Sequence, residues 1–238
     1  MAAANAALLR TLNDLWRSRA DASITIDSGR VHRTLHIHNG HFIGAESDVL
    51  TERLGVLLVA EGKLDVALVD PLVQAARTAG RFFGEQVVAD GLLDETELNS
   101  ALERQAHTRF DRSVQMSGKI EVRPLQRVRP QVRRALPAAV VASFRGRLPI
   151  EAATRLIASL PPSQTRLRPD AFTPEELELA GPELRYWRQL ASGQDAAAVL
   201  DRAQDYETAL RLIAALVGLG AIGGRMAEDE IAQFLRSA

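Results

Sequence analysis

The chain has 238 residues, 30 acidic and 29 basic side chains, a formal net charge of −1 and no cysteine. These numbers exclude a disulfide framework, a thiolate metal site, an iron–sulfur cluster and a cysteine nucleophile. A content of 46% hydrophobic and 25% charged residues belongs to a folded chain of one or two domains, not a disordered one.

Charge is unevenly spread. Residues 1–101 carry 9 basic and 14 acidic side chains, net −5; residues 102–147 carry 11 and 3, net +8. Residues 148–169 have net +2 and residues 170–238 net −6. A basic middle therefore separates two acidic flanks. Arg123, Arg127, Arg129, Arg133 and Arg134 in that middle either meet an anionic partner or neutralise the flanks within the fold. Met1 to Leu9 is apolar but short, and Arg10 and Asp14 follow, unlike an export signal. The most apolar late run, Leu212 to Ile222, is too short to cross a bilayer. The chain reads as cytoplasmic, with no membrane insertion.

Ala6 to Ala20 has Leu8, Leu9, Leu12, Leu15 and Trp16 at helical spacing. The period then becomes two: Ile24 and Ile26 form one strand, Leu35 and Ile37 a second, and Asn39-Gly40 predicts a two-residue hairpin into a third strand at Phe42. A simple hairpin sets His38 opposite His41 and His36 opposite Ile43, with Leu35, Ile37 and Phe42 on the core side. From Val49 the chain turns helical and repeats with an offset of 29 residues, aligning Arg53-Leu54-Gly55 with Phe82-Phe83-Gly84, Gly62 with Gly91 and Asp65 with Asp94. Each unit reads as a short helix, a glycine stop, an aspartate N-cap and a longer helix. Ser113 to Val122 predicts a second hairpin joining the sheet, Gln131 to Phe144 a helix interrupted at Pro137, and Ile150 to Leu160 another helix. Further on, Thr173-Pro174-Glu175-Glu176 reads as a strong helix start. Helices over Tyr186 to Leu190, Asp195 to Leu200, Tyr206 to Leu219 and Glu228 to Phe234 complete the chain.

The fold class expected is α+β: a small antiparallel sheet with an inserted helix-pair repeat, followed by a helical or winged-helix-like C-terminal part. The units expected are residues 1–125, with the repeat at 48–110, a helical connector at 126–170 and a small domain at 171–238.

This order of elements resembles the PATAN (PatA N-terminus) family of bacterial signalling and motility regulators. The residues that carry the resemblance are Leu12 and Leu15, Ser23-Ile24-Thr25-Ile26, Leu35-His36-Ile37, and above all Asn39-Gly40-His41-Phe42-Ile43-Gly44-Ala45-Glu46-Ser47. Leu160-Pro161-Pro162, Thr173-Pro174-Glu175 and Ser192-Gly193 extend it over nearly the whole chain. The resemblance implies a non-enzymatic adaptor that docks partner proteins, notably receiver domains of response regulators. Within it, the helix pairs are similar to the cyclic di-GMP-binding N-terminal domain of type II secretion and pilus ATPases, a module built on Arg-Leu-Gly, spaced leucines and a glutamine, twice over. Arg53, Leu54 and Gly55 match in the first copy, and Gly84 and Gln105 in the second. Ala76 stands in place of the first glutamine and Phe82-Phe83 in place of the second Arg-Leu, with Arg81 one position early. The similarity implies a cyclic di-GMP site at Arg53, Leu54, Gly55, Arg81, Gly84 and Gln105.

Other constellations read blandly. His36, His38 and His41 on one strand face suit a partner contact better than a metal, since no cysteine or placed carboxylate completes a set. No catalytic set emerges, no cofactor is implied, and an enzyme is the least supported class. Gly218-Leu219-Gly220-Ala221-Ile222-Gly223 follows a helix rather than a strand and reads as a helix end. A further alternative is a DNA-binding regulator using the last third as a winged helix, though the net −6 of that part argues against it. Candidate partner contacts are His36, His38, His41, Arg127, Arg129, Arg133 and Arg134.

Overall fold

A computed structural model describes residues 6–158, 160–161 and 164–223. The fold is α+β, with ten α-helices and one five-stranded antiparallel sheet among the described residues. Helix α1 (Ala6–Ser18) buries Leu8, Leu9, Leu12 and Trp16, the stripe its spacing predicts. Strands β1 (Ala22–Asp27), β2 (His32–His38) and β3 (His41–Ser47) form a meander. Asn39 (φ 48°) and Gly40 (φ 69°) both adopt the left-handed conformation that the tight turn demands. Ile24, Ile26, Leu35, Ile37 and Phe42 are buried on the core face, as alternation predicts.

The β2–β3 register departs from a simple hairpin. Ile37 pairs with Phe42, but His36 pairs with Gly44, because a bulge interrupts the ladder after His36. The expected pairing of His36 with Ile43 is therefore wrong. The bulge turns the Ile43 carbonyl outward, where it accepts from the backbone N–H groups of Gln131 and Val132 at 2.8 and 3.2 Å.

The repeat takes the form its motifs predict. Helices α2 (Leu54–Ala60) and α3 (Val66–Ala79) are followed by α4 (Phe83–Ala89) and α5 (Glu95–Val114). Asp65 accepts from the N–H of Ala67 and Asp94 from that of Glu97, while Gly62 and Gly91 take φ 69° and 70° at the intervening turns. A Cβ on Gly55 would meet Phe83 and Val69, both at 3.2 Å. A Cβ on Gly84 would meet Leu98 at 2.7 Å and Leu54 at 3.3 Å. These neighbours correspond through the 29-residue offset, Leu54 with Phe83 and Val69 with Leu98. The two copies thus pack as pseudo-symmetric partners, each glycine admitting the residue that precedes the other. They enclose their own small core of Leu58, Leu64, Leu72, Val87, Leu93 and Ala101.

Helix α5 outgrows the repeat. Its first half serves the repeat core through Ala101, and its second half enters the main core through Ala106, Phe110 and Val114. Val114 is thus helical, and the expected second hairpin is instead a single strand, β4 (Lys119–Arg123), antiparallel to β1 at the sheet edge. Strand β5 (Arg134–Ala135) pairs with His41 and Phe42 at the other edge, giving the order β4-β1-β2-β3-β5. Pro137 does not interrupt a helix begun at Gln131. It lies in the first turn of α6 (Leu136–Arg147), where its missing N–H costs no hydrogen bond.

Helices α7 (Ile150–Ala158), α8 (Gly181–Ala191), α9 (Ala196–Asp201) and α10 (Tyr206–Gly218) complete the described fold. One hydrophobic cluster joins α1, the sheet, the end of α5 and α6 to α10, crossing residues 125 and 170 without a break. Helix α10 is apolar nearly all round, from Ala209 to Val217, and is buried accordingly. The Gly-x-Gly-x-x-Gly run is a helix end: Gly220 has φ 67°, and the N–H of Ala221 reaches back to the Leu216 carbonyl. The expected start at Thr173 forms its reciprocal bonds with Glu176 but no helix follows. Glu178 takes φ 50° two residues later, closing a single turn. The helix expected over Glu228 to Phe234 lies outside the described residues. Among the described residues no helix is long and apolar enough to cross a membrane.

Gly118 precedes β4, and a Cβ there would lie 2.5 Å from the Asp27 carbonyl oxygen, a rigid backbone atom. Gly118→Ala should lower stability by about 1–3 kcal/mol in urea denaturation. Gly146→Ala, in α6 with open space around it, should be neutral or stabilising by up to about 1 kcal/mol.

Candidate functional site

A cleft of about 780 Å³ opens between the β3 edge, helices α4 and α5, and the extended strap leading into β5. Leu54, Phe82, Phe83, Leu98 and Leu102 supply an apolar wall. Thr96, Asn99 and Ser100 supply polar groups from the first turns of α5. Arg127, Val128, Arg129, Pro130 and Gln131 line it from the strap, and His36, Gly44 and Glu46 from the sheet. Phe82, 76% exposed, stands at its lip.

The walls are held by a buried polar hub. Glu52, 1% exposed, lies in the short 3-10 turn between β3 and α2. Its carboxylate accepts from Arg33 Nε at 3.1 Å and Nη2 at 2.5 Å, and from Arg112 Nη1 at 2.8 Å. Its backbone carbonyl accepts from Gln105 Nε2 at 2.7 Å and Arg109 Nη2 at 2.9 Å. Arg109 Nη1 also donates to the Ala45 carbonyl on β3 at 2.7 Å. Burial pushes the Glu52 carboxyl up, but hydrogen bonds from Arg33, Ser47 and Arg112 outweigh it and hold it at about 2. Burial also pulls the Arg109 guanidinium below its usual value, with Glu52 and Glu46 opposing that shift.

The strap closes the other side. Beyond Phe42 the β3 edge has no strand partner among the described residues, and side chains satisfy it instead. The Ala45 N–H donates to Gln131 Oε1 at 3.1 Å, and the Ala45 carbonyl is the one taken by Arg109. Gly44 leaves room for this, since a Cβ there would approach Gln131 Oε1 at 3.1 Å. Arg129 Nη1 reaches Glu85 on α4 at 3.1 Å and ties the strap to the repeat.

The structure gathers some of the residues singled out by sequence and scatters others. His36, Leu54, Gly84, Arg127 and Arg129 line the cleft. Arg53 and Arg81 are exposed outside its lining, and Gly55 is buried against Phe83. Gln105 is buried, with its amide committed to the Glu52 carbonyl. Arg134 is paired with Glu178 at 2.6 Å. Arg127 and Arg133 are exposed, and among the described residues neither has a carboxylate partner. Asn99, Ser100 and Gln131 carried no sequence signal.

The histidines do not act as one exposed face. His36 is buried, with Nδ1 3.1 Å from Ser23 Oγ. Its Nε2 approaches Glu46 Oε1 at 3.3 Å without hydrogen-bonding geometry. His38 Nδ1 lies 3.0 Å from Asp21, and the His41 ring packs edge-on to Trp16. No group of three His, Asp or Glu side chains suited to a metal occurs among the described residues. His32, which carried no separate expectation, lies 3.1 Å from Asp27 and 3.0 Å from Asp48. The chain matches no family model, curated protein or solved structure in the comparisons made.

Glu52→Gln should destabilise the protein by about 3–5 kcal/mol, because Arg33 keeps a buried charge with no counter-charge. The folded value of about 2 lies below the ordinary 4.5, so the native carboxylate contributes stability above that ordinary value. That contribution is lost as pH falls from 4.5 towards 2. Denaturation midpoints across this range should flatten in the Gln variant. The Asp48 hydrogen bond and the Asp27 charge raise the titration of His32 above 6.5. An NMR titration should show this, and Asp48→Asn should bring the midpoint down.

Proposed function

We propose that the protein is a non-enzymatic interaction adaptor of bacterial signal transduction, cytoplasmic, that docks an acidic partner such as a response-regulator receiver domain. The observation that carries this reading is the strap. Arg127 and Arg133 project without carboxylate partners among the described residues, and Arg129 is 74% exposed at its side chain. Arg127 and Arg129 line an open cleft whose lip is the exposed Phe82, and Arg133 lies further along the strap. Exposed guanidiniums and an exposed aromatic at one cleft suit recognition of a carboxylate-rich surface, since the planar fork engages carboxylates bidentately. The resemblance to the PATAN family, carried by the hairpin residues Asn39 to Ser47, points to the same class of partner.

Binding to a panel of purified receiver domains tests this. Arg127→Glu combined with Arg133→Glu should weaken capture at least tenfold, and raised salt should weaken it in the wild type. Phe82→Asp should weaken it independently. Equal capture by the charge-reversed and native proteins removes the strap as the docking surface. Arg134 is unsuitable for this test, because its pairing with Glu178 makes it part of the fold.

A second reading is a cyclic di-GMP receptor at the same cleft. It is favoured by the meeting of Leu54 and Gly84, one from each repeat, beside Arg127 and Arg129. Calorimetry with cyclic di-GMP discriminates the two: this reading expects saturable heat that falls in Arg129→Ala, and the adaptor reading expects none.

A further inference from the structure

A second cavity, of about 370 Å³, lies in the C-terminal helical part, between α8 and the loop from α9 to α10. Its lining is Arg185, Tyr186, Gln189, Arg202 and Gln204. Every one of these side chains is polar, two are guanidiniums, and none is acidic. This stands out in a segment, residues 170–238, whose acids outnumber its bases 12 to 6.

Two of the neighbouring acids are engaged elsewhere. Glu183, one turn before Tyr186 on α8, takes both arms of Arg145 at 2.8 and 2.6 Å. Asp205 turns its carboxylate to the backbone N–H and hydroxyl of Thr208, at 3.1 and 2.7 Å, and caps α10. Among the described residues neither Arg185 nor Arg202 has a carboxylate partner, unlike Arg134, Arg145, Arg168 and Arg211. Tyr186 is 4% exposed, and its hydroxyl accepts from the Asp205 N–H at 2.9 Å. The hydroxyl's own proton has no acceptor among the described residues. Gln189 Oε1 is also buried without a partner. A terminal amide in that state can turn its NH₂ towards an acceptor placed in the cavity.

We infer that this cavity binds a phosphoryl group, held between Arg185 and Arg202 with the Tyr186 hydroxyl and the glutamine amides as further donors. Two guanidinium forks on separate elements suit an oxyanion with several acceptor oxygens and up to two charges. A carboxylate would leave part of this donor set unused. The tyrosine is already oriented by the N-cap of α10, so little rearrangement is needed on binding. The site is independent of the cleft and of the reading proposed for it.

Thermal melting of the full chain at pH 7.5 tests the inference, with sodium phosphate against sodium chloride at matched ionic strength. Phosphate should raise the melting temperature saturably by about 2–4 °C at concentrations well above the dissociation constant. Arg185→Gln and Arg202→Gln should each abolish the phosphate-specific rise, while Arg77→Gln, on the distant α3, should keep it. Isothermal titration with phosphate gives a readout independent of stability and should lose its saturable heat in the same two variants. Glycerol phosphate run in parallel separates the sources. A larger rise with it identifies a phosphomonoester as the occupant, and an equal rise identifies free phosphate. A melting temperature that follows the chloride control, or a rise that survives both substitutions, overturns the proposal.

Discussion

The arrangement of the molecule depends on one buried carboxylate. Glu52 lies where the chain leaves the sheet for the inserted helices, and three arginines and a glutamine from β2 and α5 converge on its side chain and its backbone carbonyl. A charge of this kind, removed from water, is tolerable only when it is paired and its oxygens are satisfied, and both conditions hold here. The network therefore fixes an orientation. Arg33 anchors to the sheet, Arg112 and Arg109 anchor to α5, and Arg109 extends the link to the β3 carbonyl at Ala45. The repeat's small core is a cluster separate from the main one, and the second half of α5 and this polar joint together tie it to the sheet. An apolar joint would pack in several orientations of similar energy, whereas a satisfied polar network accepts few.

The second constraint is steric. Gly55 and Gly84 belong to a motif that, by resemblance, would serve a nucleotide. Their surroundings give them a different necessity: each admits the side chain that precedes the other glycine, and larger residues would push the helix pairs apart. The Leu-Gly part of the motif is thus accounted for by packing, independently of any ligand. The arginines are not accounted for in this way, since Arg53 and Arg81 are exposed and support no core contact. What packing leaves unexplained in the repeat is its charged positions and the surface it offers the strap.

Local rules made much of the fold readable. The Asn39-Gly40 turn, the aspartate caps at Asp65 and Asp94 and the apolar stripe of α1 each depend on residues within a few positions of one another. What failed depended on distant partners. The bulge after His36 frees the Ile43 carbonyl for the strap, some 88 residues later. Thr173 and Glu176 form the expected capping box, yet no helix follows, since propensity at the first turn cannot ensure that later turns have a face to bury. The cleft was readable in pieces, as Arg127, Arg129, His36 and Leu54, but not as one place. Glu52 carried no signal, because Arg33 and Arg112 lie 19 and 60 residues away.

The charge pattern draws these strands together. The basic middle and the acidic flanks largely neutralise one another across the fold: Arg112 with Glu52, Arg104 with Glu61, Arg129 with Glu85, Arg134 with Glu178, Arg145 with Glu183. Most of these pairs are partly exposed, and each is worth little stability alone. Their greater effect is to show which cations stay unclaimed. In a chain with near-equal numbers of acids and bases, an arginine left without a partner beside so many available carboxylates is one whose position the fold does not use. Among the described residues Arg127 and Arg133 on the strap, and Arg185 and Arg202 on the small cavity, meet that description, as do Arg53, Arg77, Arg81 and Arg188 elsewhere. The sites proposed for a partner and for a phosphoryl group fall where such cations also border a concave surface, Arg127 at the cleft and Arg185 and Arg202 at the cavity.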